Sequence, residues 1–178
     1  MEVSFDVRWF RLQGVEESFF DDRRWRESRF GFSVSSPASA ETVWRELHGA
    51  HPLSWCSSLR ECRWEAGSPC GVGSRRTVTV APGVSVCERY FLWEEHSDRL
   101  ENAFAVEACT VPGLRRFGER YRVVPTASGS RLDWDFLIEP RLPRPLQKLA
   151  RPVTQVTIDR LARDTTTHLG QVRDGGVR

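Results

Sequence analysis

No run in this sequence is long and apolar enough to cross a bilayer as a helix. The first residues, Met1 to Asp6, lack the basic segment followed by a hydrophobic one that marks a secretory leader. The expectation is a cytoplasmic protein without stable membrane insertion. Neither sign of charge dominates: 26 basic and 24 acidic residues leave a net charge of +2, too balanced to mark a nucleic-acid-binding surface. Lysine is nearly missing, with Lys148 the single one among the basic residues, which reads as codon usage in a GC-rich genome rather than selection for guanidinium chemistry. The five cysteines, at 56, 62, 70, 87 and 109, are odd in number and contain no CxxC pair, so buried reduced thiols are expected in place of a zinc site or disulfide framework. His48 and His51 have a suggestive spacing, but Gly49 and Pro52 break any helix that would align them, and no metal site is assigned. Gly71-x-Gly73 lacks the further glycine and the strand-to-helix setting of a dinucleotide loop. No nucleophile elbow, repeat or linker is present, and no cofactor is expected.

What is there suits one globular domain. Its 178 residues are 39% hydrophobic and 28% charged, and seven Trp with ten Phe can bury a large apolar area without covalent staples. Val3, Phe5, Val7 and Trp9 alternate with mostly polar residues, as in a strand, and a polar stretch around Phe19 and Phe20 reads as a loop or short helix. Phe30, Phe32 and Val34 give a second strand. Ser39 is placed to cap a helix carrying Val43, Trp44 and Leu47, and a second short helical piece follows from His51 with Leu53, Trp55 and Leu59. From residue 60 onward, strands alternate with turn signals at Pro82-Gly83, Ser97-Asp98, Pro112-Gly113 and Ser128-Gly129, predicting a six-strand antiparallel meander. Leu146, Leu149, Val153, Val156 with Thr157, Leu161 and His168 then recur at helical spacings of three, four or their sum, predicting one amphipathic helix of roughly 25 residues with Thr157 toward the sheet, kinked at Pro152 and stopped at Gly170. The fold class is α+β. A curved six- or seven-stranded sheet wraps a long C-terminal helix that cannot fill its concave face, which leaves an internal cavity for apolar ligands.

This order of elements resembles the helix-grip fold of the START/Bet v 1-like (SRPBCC) superfamily, especially its polyketide cyclase/dehydratase and lipid-transport group. The resemblance rests on Ser36-Pro37-Ala38-Ser39-Ala40-Glu41-Thr42-Val43-Trp44, Gly71-Val72-Gly73-Ser74-Arg75-Arg76, Glu88-Arg89 with Trp93-Glu94, and Ser128-Gly129-Ser130-Arg131-Leu132-Asp133-Trp134. It covers residues 30 to 170, read as the helix-grip domain. Residues 1–29 are read as an added strand, lid or dimer arm, and 171–178 as a flexible tail. The resemblance implies a small hydrophobic ligand or polyketide intermediate as partner. It implies either a cyclase or dehydratase without cofactor or a non-catalytic lipid carrier; a homodimer through the N-terminal arm is a third reading.

Strand parity selects the candidate residues. Leu132, Trp134, Phe136 and Ile138 should face the cavity, with Asp133, Asp135 and Glu139 outside. With Arg120 and Arg122 outside to pair with Asp133 and Asp135, Glu119 and Tyr121 fall inside. Glu119 is then a desolvated general base or, alternatively, a solvated or paired carboxylate near the open end of the sheet. Arg76 shares parity with Val78 and Val80 and either points inward or reaches solvent from the strand start. The resemblance implies that an inward arginine, near Ser74, would bind or polarise the oxygens of a polyketide. Arg76, Glu119 and Tyr121 are the catalytic candidates. Trp55, Ser74, Glu88, Tyr90, Phe104, Trp134, Phe136 and Thr157 are the candidates for the ligand-binding surface.

Overall fold

In the computed structural model, residues 8–49, 51–65 and 70–174 are described. Eight antiparallel strands form one sheet: β1 (Phe10–Arg11), β2 (Arg29–Ser36), β3 (Glu61–Trp64), β4 (Arg75–Ala81), β5 (Val84–Glu95), β6 (Leu100–Cys109), β7 (Leu114–Thr126) and β8 (Gly129–Pro140). Seven follow the order β2-β8-β7-β6-β5-β4-β3, and β1 pairs with β6. Helix α1 (Ala40–His48) follows β2, and helix α2 (Arg144–Leu169) closes the chain. The turn signals at residues 82–83, 97–98 and 112–113 fall between strands, and that at 128–129 falls at the β7–β8 turn, with Gly129 the first residue of β8. The expected strand through Val3, Phe5, Val7 and Trp9 lies outside the described residues up to Val7; among the described residues next to it, Phe10–Arg11 pair with β6.

Local chemistry accounts for most boundaries. The Ser39 hydroxyl accepts the Thr42 amide at 3.3 Å, and Glu41 in the first turn of α1 and Arg45 in the last are each favourable to the helix dipole. The second helical piece does not form. Residues 51–59 are successive turns, with Ser54, Cys56 and Leu59 amides each bonded three residues back, and Leu53 sits at φ 59°. Gly49 and Pro52 interrupt helical hydrogen bonding there. Between β7 and β8, Gly129 at φ 138° lies so close to the β2–α1 junction that a Cβ would collide with the Ser36 carbonyl and the Pro37 backbone. The same junction is fastened by Ser130 Oγ on the Ala38 carbonyl and Ser36 Oγ on the Leu169 carbonyl, both at 2.8 Å. Asp174 accepts the Ser39 amide at 2.9 Å and Val172 packs on the core, so the segment after α2 is docked as far as residue 174.

Two faces of the sheet bury different partners. The inner face carries Tyr90, Phe104, Tyr121, Val123, Leu132, Trp134 and Phe136, packed with Val43, Trp44 and Leu47 of α1 and Ile158, Leu161 and Leu169 of α2. The outer face holds Ala103 and Leu137 under Val15 and Phe20, which come from the segment before β2. Two 3-10 turns, Glu17–Phe20 and Arg23–Ser28, form in that segment, and Arg120 binds it electrostatically through Asp21 at 3.0 Å while also holding Asp135 at 2.8 Å. Arg122 pairs with Glu101 at 2.8 Å rather than with Asp133. All five cysteines are free; Cys56 and Cys109 are buried and Cys70 is exposed.

Helix α2 has the expected length but presents a different face. Its buried positions are Ile158, Leu161, Thr165 and Leu169, while Leu146, Leu149, Val153 and Val156 are exposed. Its first half leans on the edge strand β2: Arg151 donates to the Glu27 and Arg29 carbonyls and lies over the Phe30 ring at 4.5 Å. The helix runs through Pro152 without a break. Among the described residues no helix is long and apolar enough to cross a membrane.

These contacts predict two contrasting glycine substitutions in urea unfolding. Gly129→Ala should cost at least about 3 kcal/mol, through backbone collision as well as the positive φ. Gly83→Ala, at φ 75° with open space around it, should cost only about 1–2 kcal/mol. Equal losses would show that the β2–α1 junction is not tightly packed.

Candidate functional site

The interior of the sheet contains a polar chain built by four strands. In the β4–β5 hairpin Arg76 stands directly opposite Glu88, and its Nε donates to Glu88 Oε2 at 2.5 Å. Arg76 Nη2 donates to the Tyr121 hydroxyl on β7 at 3.4 Å. That hydroxyl donates to Glu119 Oε2 at 3.1 Å, and Trp134 Nε1 on β8 donates to the same oxygen at 2.8 Å. All five side chains are buried. Aromatic rings enclose the guanidinium: Arg76 Cζ lies 5.0 Å from the Phe104 centroid and 5.5 Å from those of Tyr90 and Trp64.

Burial sets the protonation states. Desolvation pushes the Glu119 carboxyl up to about 8, helped by the nearby Glu88 charge and opposed by Arg76, Trp134 and Tyr121. Glu119 is therefore largely protonated at neutral pH. Desolvation also raises Glu88, against the pull of Arg76. Burial disfavours the charge on Arg76, yet the fields of Glu88 and the two tyrosines hold its pKa well above the ordinary value. Tyr90 and Tyr121 are both raised by desolvation and stay neutral phenols. Three buried donors around this centre have no hydrogen-bond partner among the described residues: Arg76 Nη1, the Tyr90 hydroxyl and Trp64 Nε1. Such groups cost free energy unless a ligand or water satisfies them.

The structure thus brings Arg76, Glu88, Tyr90, Phe104, Glu119, Tyr121, Trp134 and Phe136 onto one face. Ser74 is buried one turn away, its carbonyl accepting the Tyr90 amide at 3.0 Å. Trp55 stands apart, stacked on His168 at 4.3 Å and bonded to Thr165 Oγ1 at 3.3 Å. Thr157 is exposed and does not face the sheet; Ile158, one residue and about 100° further around the helix, does. The mixed pattern of β5 resolves through an irregularity between Tyr90 and Leu92. Glu88 and Tyr90 face inward before it, Trp93 after it, and Phe91 and Leu92 pack outside.

The hollow expected around these residues is largely occupied. Trp134, Arg76, Tyr90, Tyr121, Phe104 and Phe136 fill the concave face as fully buried side chains. Three cavities of about 600 Å³ open elsewhere, and none is lined by Arg76, Glu88, Glu119 or Tyr121. One lies between Leu53 and β3 and is lined by Cys62 and Trp64. Trp64 also packs on Tyr90 at 5.4 Å, so its ring stands between this cavity and the polar chain.

Two participants escape a strand-by-strand reading. Trp64 sits at the end of a four-residue edge strand, Glu61–Trp64, whose alternation turns Cys62 and Trp64 to the same side but is too short to show that they meet the polar chain. His48 is placed by the α1 C-terminus: its Nδ1 donates to the Trp44 carbonyl at 2.8 Å and its Nε2 accepts from Asn102 at 2.6 Å. Burial, with Arg76 nearby, lowers its pKa to about 3. Both ring nitrogens are committed, and among the described residues no group of three His, Cys, Asp or Glu side chains is arranged around a metal position. The Arg76–Glu88 pairing itself had a signal, since counting back from the Pro82-Gly83 turn brings the two positions opposite once a one-residue irregularity is allowed.

Glu119 and His48 should shape stability in opposite directions. A carboxyl raised from 4.5 to about 8 stabilises the fold below pH 4.5 and loses that contribution as pH rises to 8. A histidine lowered from 6.5 to about 3 stabilises above pH 6.5 and loses its contribution as pH falls to 3. The two oppose each other between 4.5 and 6.5, leaving Glu119 alone from 6.5 to 8. Urea unfolding should show stability falling there by up to about 1.4 kcal/mol per pH unit. Glu119→Gln should flatten that window; an unchanged slope would mean that Glu119 is ionised in the folded protein.

Residues 29–172 match the family described as polyketide cyclase / dehydrase and lipid transport. Uncharacterized proteins of Mycobacterium tuberculosis and Mycobacterium bovis are 27% identical over 111 residues, 62% of this chain; the match spans 65% of the length of these curated relatives. Among solved structures, a START superfamily protein from Mycobacterium smegmatis superposes with a TM-score of 0.61 at 18% identity, covering 79% of this chain and 96% of that one. Major latex-like protein 151 from Panax ginseng gives 0.57 at 16% identity, covering 79% and 96%. At these identities the structures establish a shared fold, and the family match covers most of the chain. The chain belongs to the polyketide cyclase / dehydrase and lipid transport family, and it shares its fold with these solved structures.

Proposed function

We propose that this protein is a cofactor-independent polyketide cyclase/dehydratase-like enzyme that binds a hydrophobic, oxygen-bearing natural-product intermediate and promotes its cyclisation. The observation that carries this reading is the group of unpartnered buried donors, Arg76 Nη1, Tyr90 hydroxyl and Trp64 Nε1, beside a carboxyl that burial keeps protonated. Donors in a dry, aromatic surround suit a carbonyl oxygen that gains negative charge on enolisation. Glu119, linked to Arg76 through Tyr121, is the group to deliver or remove the proton. Phe104, Trp134 and Phe136 supply flat apolar surface against which a folded chain is held in reactive shape. In this reading the cavity beside Trp64 is the entrance, and displacement of that indole opens it onto the polar chain. Residues 30–170 are the ligand-handling domain, and residues 1–29 are an added arm, of which the stretch from Val15 to Trp25 braces the outer face.

A non-catalytic carrier of lipids or other hydrophobic ligands is the second reading. It is favoured by the Arg76–Glu88 pair, because a guanidinium already neutralised by a carboxylate serves as an anchor better than as an electrophile.

Turnover of a poly-β-ketone thioester surrogate, followed by mass spectrometry, separates the two. The enzyme reading expects Glu119→Gln to lower the cyclisation rate by about 100-fold or more with surrogate binding retained. Arg76→Lys, which keeps the charge beside Glu88 but loses the fork of donors, should impair both binding and rate. Binding without acceleration by the unmodified protein would establish the carrier. Unchanged turnover in both variants would remove Arg76 and Glu119 from the chemistry.

A further inference from the structure

Seven large apolar side chains are exposed among the described residues; four of them, Leu146, Leu149, Val153 and Val156, lie on one stripe in the first half of α2, and a fifth, Leu142, lies just before the helix. Their exposures run from 37% to 74%, with Leu149 at 72% and Val153 at 74%. The spacing within the helix is 3-4-3, and these four fall on the side of the helix away from Ile158, Leu161 and Thr165. A strict two-in-seven seam of this kind is narrower than the face a helix turns toward a globular core, and it fits a second helix. Isolated exposed apolar residues need no explanation, but a continuous row does.

We infer that this row is a homodimer interface in which the first half of α2 packs against the same segment of a second copy. The seam carries no charge from 142 to 156, so it complements itself, as a two-fold interface requires. Ala150, Pro152 and Thr157 flank it, placing small or uncharged groups where a partner helix approaches. The line of the seam continues into Arg160 and Arg163, both exposed. A parallel pair would set Arg160 against Arg160, whereas an antiparallel pair centred on Leu149 carries it past the start of the partner helix. Leu149 then meets Leu149, and Leu146 meets Val153. At roughly 100 Å² per side chain the four helical residues and Leu142 offer about 500 Å² from each protomer, about 1,000 Å² in all, the size of a weak, reversible interface rather than an obligate one.

A bilayer surface fits the same stripe less well. Interfacial helices combine aromatic side chains with a free cationic face, yet none of the seven Trp or ten Phe lies in α2. Arg141 and Arg151 are bonded to backbone carbonyls of residues 11, 114, 27 and 29 and are held by the fold.

The inference stands independently of the proposed function and is tested on the full chain by sedimentation equilibrium. A dimer is expected in the micromolar range. Leu149→Glu, duplicated across the axis, should raise the dissociation constant by about 100-fold or more, with circular dichroism unchanged because the side chain is solvent-facing. In a Cys70→Ser background, Leu149→Cys should form an interchain disulfide on mild oxidation and Val156→Cys should not. Three results would overturn the inference: a monomer throughout the concentration range, a dimer indifferent to Leu149→Glu, or a monomer that co-sediments with phosphatidylglycerol vesicles through this stripe.

Discussion

The ion pair between Arg76 and Glu88 is the constraint around which the interior is arranged. Neither charge reaches solvent, and a buried charge without a partner is strongly destabilising. The pair fixes which faces of β4 and β5 point inward, because a one-residue slip would send both side chains outside. It also dictates the surroundings. Arg76 needs further acceptors, and Tyr121 supplies one; Tyr121 in turn donates to Glu119, which takes a second bond from Trp134. Four strands are thereby tied through side chains as well as through their backbone ladders.

The same constraint explains why a carboxylic acid can persist neutral in this core. Glu119 is held by two donors and sits within the field of Glu88, so losing its proton would add a second negative charge to a dry site that holds one positive charge. Polar groups enclosed by Phe104, Tyr90, Trp64 and Trp134 interact strongly with one another and with any oxygen that enters. Ligand handling and fold stability share these groups, so the apolar ring system both supports the sheet and isolates the chemistry.

Much of this arrangement is legible in sequence because strands have a period of two. The alternation of Leu132, Trp134 and Phe136 orients β8, and β7 then places Glu119 and Tyr121 beside Trp134. Ser39 announces α1 through its capping chemistry. What escapes involves breaks in periodicity or competition between two apolar stripes. The irregularity in β5 returns Trp93 to the inner face, which alternation alone cannot anticipate. Helix α2 carries two apolar rows, and the longer, more regular one faces outward, so Thr157 is misplaced and Ile158 overlooked. The extent to which aromatic rings fill the hollow depends on long-range packing of residues from β4 to β8, for which no local pattern exists. Trp64 reaches the site from the end of a short edge strand and His48 from a helix end, and which residues they meet there depends on long-range packing.

The ionisation of Glu119 tests this account most directly. Proteins labelled with ¹³C at glutamate carboxyls, with the Glu119 signal assigned by its loss in Glu119→Gln, can be titrated by NMR. A midpoint near pH 8 is predicted, with sensitivity to Tyr121→Phe. A midpoint in the ordinary carboxylate range near 4.5 would contradict it, because Glu119 would then be solvated or fully charge-compensated and the buried polar chain would not exist as described.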